Sequence, residues 1–281
     1  MTSVLDNLKG INNLYLRIIT ALIGAAIVIT SIIFSSWSYF AVFFIICYLS
    51  LMEFYKLVGI DGMLPLKFWG TLTGLTGYTI TFLVESGTVD ANLFFIIFPL
   101  LFFVFFIKLY RKSDKKPFTN IAFTFLGILY VAVPFSLLHS VAFCQDEYSF
   151  QIILGIFLIN WANDTGAFFA GTKFGKTKLF SRVSPKKTWE GFVGGLILSL
   201  LIAMGLVYFI PQFVLWQWLV IAHIVVIAGT YGDLVESLFK RSILIKDSGA
   251  ALPGHGGFLD RFDALLYSLP FIAVFLKLFL A

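Results

Sequence analysis

Charge and thiols are what this sequence has least of. Only 12% of its 281 residues are Asp, Glu, Lys or Arg, against 59% hydrophobic residues that include 34 Phe. So little charge excludes a soluble globular domain, which would have to hide more apolar surface than a fold of this size can bury. Two cysteines, Cys47 and Cys144, lie in apolar runs without partner spacing. That excludes a disulfide framework and a thiolate metal site, and leaves both as buried, unpaired thiols. His255 lacks a second His or Cys at ligand spacing, which argues equally against zinc. His139 and His223 fall in apolar spans, where helix packing with a satisfied hydrogen bond is the expected role.

What is present is a series of continuous apolar runs. A hydrocarbon core about 30 Å thick needs roughly 20 apolar residues per helix. Nine runs meet that description, at about 14–34, 38–56, 66–85, 92–109, 119–142, 150–170, 190–210, 215–238 and 262–280. Barrel strands are excluded, since these are shorter and alternate in character. The expected fold is therefore all-α: a polytopic integral membrane protein of about nine transmembrane helices, with no removed signal peptide. Numbered from a cytoplasmic N-terminus, the loops place every Lys and Arg except Lys277 on one side. Short basic loops remain in the cytoplasm, so the N-terminus is expected inside and the C-terminus outside. The net charge of +5 then reflects topology and anionic lipid, and no nucleic-acid partner is expected.

No repeat or linker divides the chain, so 1–281 reads as a single integral membrane domain. Within it, 1–149 forms a transmembrane part with almost no charge inside its spans, and 150–281 carries the chemistry. The pairs Gly70/Gly74 and Gly191/Gly195 have the spacing for close helix packing.

Four polar segments of the second part stand out. In INWANDTGAFFAG (159–171), Asp164 lies in a span and needs a partner, a water-filled cavity or an ion, and Asn160 and Asn163 are close enough to line such a cavity. The end of this first segment runs on as AGTKFGKT, which formally fits a loose phosphate-loop pattern, but it follows a transmembrane helix instead of a buried strand, so a nucleotide-hydrolase loop is not expected. In SPKKTWEG, Pro185 suits a helix start with Glu190 in its first turn. Lys186 and Lys187, beside Ser184, Thr188 and Glu190, read as phosphate binders. In GDLVESLFKR, Asp233, Glu236 and Lys240 share one helical face.

The fourth segment, KDSGAALPGHGGFLDRFDALL, adds Asp247, Asp260 and Asp263 to Asp233, and oxygen-rich, thiol-free clusters select Mg²⁺, Mn²⁺ or Ca²⁺. Pro253 and the glycines let the backbone double back, so that Asp260 can meet Asp233. Lys240, Arg241, Lys246 and Arg261 surround these acids, which suits an anionic substrate that brings metal with it. His255 is read as a phosphate hydrogen-bond donor or a local structural residue. An ion-coupled transporter using Asp164 and Asp233 and a membrane lipid or polyprenol kinase are the competing readings.

ESLFKRSILIKDSGAALPGHGGFLDRFDALL (236–266) closely resembles the C-terminal signature of the phosphatidate cytidylyltransferases, or CDP-diacylglycerol synthases. Its fixed places are filled here by Ser237, Lys240, Arg241, Lys246, Asp247, Pro253, His255, Gly256, Gly257, Asp260, Arg261 and Asp263. The likeness extends upstream over roughly 150–266. It implies Mg²⁺-dependent transfer of CMP from CTP to phosphatidic acid, giving CDP-diacylglycerol and pyrophosphate, and metal-binding acids at Asp233 and Asp260. Asp164, Asp247 and Asp263 are less securely ligands and alternatively hold substrate or order the basic residues. Mn²⁺ in place of Mg²⁺, and a second metal or a monovalent cation, remain open. The resemblance further implies a nine-span homodimer in a bacterial inner membrane, with its active site facing the cytoplasm.

Overall fold

The computed structural model describes residues 19–60, 62–245 and 257–279. Its helices, in chain order, are α1 (Ile19–Phe34), α2 (Ser36–Ile60), α3 (Lys67–Glu85), α4 (Ile97–Tyr110, after a 3₁₀ turn at Ala91–Ile96) and α5 (Pro117–Ala142). They continue with α6 (Phe150–Phe174), α7 (Trp189–Phe209), α8 (Leu215–Ser242) and α9 (Leu259–Phe279). Among the described residues seven helices are long and apolar enough to cross a membrane, α4 being counted with its 3₁₀ turn. The exceptions are α1, which is shorter, and α3, whose Thr and Gly residues dilute its apolar character. The chain is an all-α polytopic integral membrane protein. Its outward surface agrees: α4 buries only Val104 and Lys108 and turns Phe98, Phe102 and Phe106 outward, as a lipid-facing helix does.

One element departs from the all-α expectation. Lys178–Phe180 (β1) and Ser184–Thr188 (β2) form a small antiparallel hairpin, with Lys178 opposite Thr188. Pro185 accordingly lies in a strand and does not start a helix. The start of α7 is set by Thr188, whose hydroxyl accepts the Gly191 amide at 3.2 Å, the usual N-cap interaction. Helix α5 is also irregular. Ile128–Ala132 winds as a π turn just ahead of Pro134, whose missing N–H interrupts the helical ladder.

The tightest packing is between α6 and α7. A Cβ on Gly166 would sit 2.5 Å from the carbonyl oxygen of Gly194, and one on Gly195 would strike Asn163. Glycine is required at this crossing because backbone meets backbone. The expected close packing at Gly191/Gly195 is thus found, and that at Gly70/Gly74 as well, against Tyr55 and against Ala132 with Leu51 respectively. The two cysteines are unpaired, Cys47 fully buried and Cys144 partly so. His139 is buried, with Nδ1 3.0 Å from the Tyr39 hydroxyl. His223 is instead exposed on α8 and bonds only to the carbonyl of Leu219 in its own helix.

The N-terminal part also carries a buried ion pair. Lys108 and Asp114 meet at 2.5 Å with side chains 1% exposed, and Lys108 donates to the Leu64 carbonyl as well. Asn120 bonds both Asp114 and the Leu64 amide, so this cluster clamps the α2–α3 loop onto the α4–α5 loop. Burial pushes the Asp114 carboxyl up, but hydrogen bonds from Lys108, the Lys116 amide and Asn120, together with the Lys108 charge, outweigh it and hold the pKa below its usual 3.8. A lowered folded pKa contributes stability that is complete above the unfolded value and is lost as pH falls through the folded one. Asp114→Ala should therefore cost about 3 kcal/mol at neutral pH by stranding Lys108, measured by thermal unfolding in detergent, with the deficit shrinking as the pH is taken below about 4. Gly166→Ala should cost about 1–3 kcal/mol by overpacking α6 on α7, read in the same melt.

Candidate active site

Helix α6 ends, α7 begins, α8 ends and α9 begins at one end of the bundle, and the hairpin lies there too. A cavity of about 570 Å³ opens between them. Asn160, Asn163 and Asp164 reach it from α6, Lys186 and Lys187 from β2, Thr188 at the start of α7, Asp233, Glu236 and Lys240 from α8, and Asp260, Arg261 and Asp263 from α9. Residues separated by a hundred positions in the chain thus line one wall. Asp233 and Asp260 both line this cavity, each paired with a different lysine.

Local sequence explains each placement. Asp233, Glu236 and Lys240 recur at three and four residues, which aligns them along α8 toward α9. Asp260 occupies the first turn of α9, where negative charge complements the helix dipole, and Asp263 follows three residues on. Asn160 and Asn163 are buried on α6, and Asn160 Oδ1 has no hydrogen-bond partner. The hairpin turns Lys186 and Lys187 back over the helix ends.

Lysines neutralise the acids. Lys187 forms a salt bridge with Asp233, joining the hairpin to α8. Lys240 lies 2.7 Å from Asp260 and 3.5 Å from Glu236, joining α8 to α9. Glu236 is only 1% exposed and, apart from the Lys240 ammonium 3.5 Å from Oε1, neither oxygen has a hydrogen-bond partner among the described residues. Sequence reasoning placed Glu236 on the ladder face without giving it a site role; its spacing from Asp233 was the available signal.

Several predicted residues stand apart from the wall. Arg241 turns away and donates to the Ile245 carbonyl at 3.3 Å. Ser184 starts β2 outside the lining. Ser237 reaches the site only through Asp233, its hydroxyl 3.4 Å from Oδ1. Glu190 braces the loop by accepting the Thr177 amide at 3.0 and 3.2 Å. Gly257 donates to Asp260 Oδ2 at 3.4 Å. Lys246, Asp247, Pro253, His255 and Gly256 lie outside the described residues.

The donor set is suited to a hard divalent cation, because among the described residues five carboxylates and no thiolate or imidazole face the cavity, and the buried Glu236 carboxylate has only the 3.5 Å Lys240 contact to offset its charge. As arranged here, with lysines on Asp233 and Asp260, no three His, Cys, Asp or Glu side chains among the described residues are gathered at metal-binding distance. A cation would compete with Lys187 and Lys240 for the same oxygens.

Residues 15–279 match the model of the cytidylyltransferase family. The chain belongs to that family. Among the curated proteins it is similar to the phosphatidate cytidylyltransferases of Staphylococcus saprophyticus (42% identical), Staphylococcus haemolyticus (40%) and Staphylococcus epidermidis (38%). Each match runs over 166 residues, 59% of this chain and 62% of the relative, so the chain spans less than two thirds of the length of these relatives. For this family member, the cap of α7 gives a direct check on how the cavity is built. Thr188→Ala should lower stability by about 1 kcal/mol while Thr188→Ser does not, as measured by thermal unfolding.

Proposed function

We propose that the chain is a phosphatidate cytidylyltransferase, which transfers CMP from CTP to phosphatidic acid and releases pyrophosphate. The observation that carries this reading is the single cavity where acids of α6, α8 and α9 meet the lysines of the hairpin and Arg261. Its likeness to relatives bearing that name supports it. The site is read as cytoplasmic and the N-terminus as inside, because the basic loops fall on that side of the membrane. The family likeness and these apolar helices suit a bacterial inner membrane, and a homodimer belongs to the same proposal.

In the reaction a phosphate oxygen of the lipid bonds to the α-phosphorus of CTP, and the bond from that phosphorus to the oxygen bridging to the β-phosphate breaks. A phosphate monoester has a second pKa of about 6, so the nucleophile is already largely ionised at neutral pH and needs no strong general base. The residues agree with this, since among the described residues no Ser–His or Cys–His pair faces the cavity. The barrier lies in bringing two anions together and in charge growing on departing pyrophosphate. Lys186, Lys187 and Arg261 line the cavity and would bind and orient phosphates, and Lys240 pairs with Asp260. Mg²⁺, held by Asp233 and Asp260 with Asp164, Glu236 or Asp263 nearby, would supply further charge neutralisation for the phosphates. The apolar helices keep the acyl chains in lipid while CTP arrives from water.

Protein purified in detergent and given Mg²⁺, phosphatidic acid and labelled CTP should yield lipid-bound cytidine, and chelation should stop it. Transfer of the γ-phosphate to a lipid alcohol would show a kinase instead. Asp233→Asn and Asp260→Asn should each lower kcat by about 100-fold or more while the protein remains folded. Full activity in either variant would remove that residue from the site.

A further inference from the structure

The end of the bundle that holds the acids is anchored from the other half of the chain. Glu53, in the last third of α2, is only 8% exposed. Its Oε2 accepts the backbone N–H of Phe258 at 2.7 Å and of Leu259 at 3.5 Å, the residues at which α9 begins. Among the described residues it forms no salt bridge, and its Oε1 has no hydrogen-bond partner. A carboxylate is costly to bury without a cation. Here the compensation is a helix N-terminus, which offers N–H groups without intrahelical partners and the positive end of the helix dipole.

The neighbouring side chain reaches the other acid-bearing helix. Phe54 stacks on Phe239 of α8, ring centroids 5.4 Å apart and planes 19° apart, one residue before Lys240. Successive residues of a helix point about 100° apart, so Glu53 and Phe54 touch two adjacent helices at once. Those helices are the pair joined by Lys240 and Asp260. Phe262, one turn into α9, is in turn held against Phe43 of α2 and Phe135 of α5. We infer that Glu53 is a positioning residue: from the first half of the chain it fixes the first turn of α9, and so the placement of Asp260 and Arg261 opposite Asp233. The inference rests on the proposed cytidylyl transfer for its kinetic consequence, though not for its geometry.

The test compares Glu53→Ala and Glu53→Gln in the full chain, by steady-state kinetics and by amide hydrogen exchange over residues 257–265. Glu53→Ala should lower kcat by about 10- to 100-fold, the scale of a misplaced reacting group. Its KM for phosphatidic acid should stay within about threefold, since the apolar helices that hold the acyl chains are untouched. Exchange at the start of α9 should rise. Glu53→Gln retains an oxygen that accepts the same N–H groups, so both kcat, within about threefold, and exchange should stay close to the parent protein. A parent-like kcat in Glu53→Ala overturns the inference. So does a Glu53→Gln variant slowed tenfold with unchanged exchange, and this second variant decides the question if Glu53→Ala does not fold. If the parent protein transfers no cytidylyl group at all, the proposed function fails, while the exchange comparison still tests the hold of Glu53 on α9.

Discussion

Everything at the polar end of this protein depends on neutralising carboxylates where the hydrocarbon stops. Two unit charges 4 Å apart attract by about 4 kcal/mol at an effective dielectric of 20, and by only about 1 kcal/mol in bulk water. At such a boundary a carboxylate without a partner is unfavourable and a paired one is held firmly. The pairs Lys187–Asp233 and Lys240–Asp260 meet this requirement, and each joins elements that are distant in sequence. The same contacts that satisfy the acids therefore bring the hairpin, α8 and α9 together around one cavity. Under the proposed function, a phosphate-bearing substrate with a divalent cation would exchange into the site, phosphate taking the lysines and cation taking the acids.

The division of labour between the halves follows from this. Helices α6 to α9 supply the cavity wall, with α6 and α7 in close contact through Gly166, Gly194 and Gly195. The earlier helices are not merely a lipid-facing belt. They place aromatic side chains against Phe239 and Phe262, and they carry their own buried charges in Glu53, Lys108 and Asp114. Family membership over residues 15–279 includes this half, whereas the matches to the staphylococcal relatives cover 59% of the chain.

Much of this was legible in the residues themselves. The apolar runs predicted the helices within a few residues, because a bilayer imposes a length that composition must satisfy. Asp233, Asp260, Lys186 and Lys187 could be named as site candidates since an acid inside a span, a cluster of acids in a glycine-rich loop, or a lysine pair next to hydroxyls is unexplained by packing. Sequence reading failed where the outcome depended on a strand. SPKKT looked like a helix start because of Pro185, yet pairing with Lys178–Phe180 drew it into a hairpin and moved the cap to Thr188. It also assumed that adjacent basic residues act together, whereas Lys240 faces the acids and Arg241, about 100° around the helix, bonds to the loop backbone.

By itself the sequence determined that the chain enters a membrane, how long its helices are, and which half concentrates acidic and basic residues in and beside its spans. These follow from local composition and periodicity, which each segment carries independently of the others. Tertiary structure alone decided which acids share a wall, which lysine answers which carboxylate, and that Glu53 of α2 meets the start of α9 some 200 residues later. Such contacts depend on how helices cross and on where a backbone N–H is left without a partner, and neither is encoded in the spacing of any one segment.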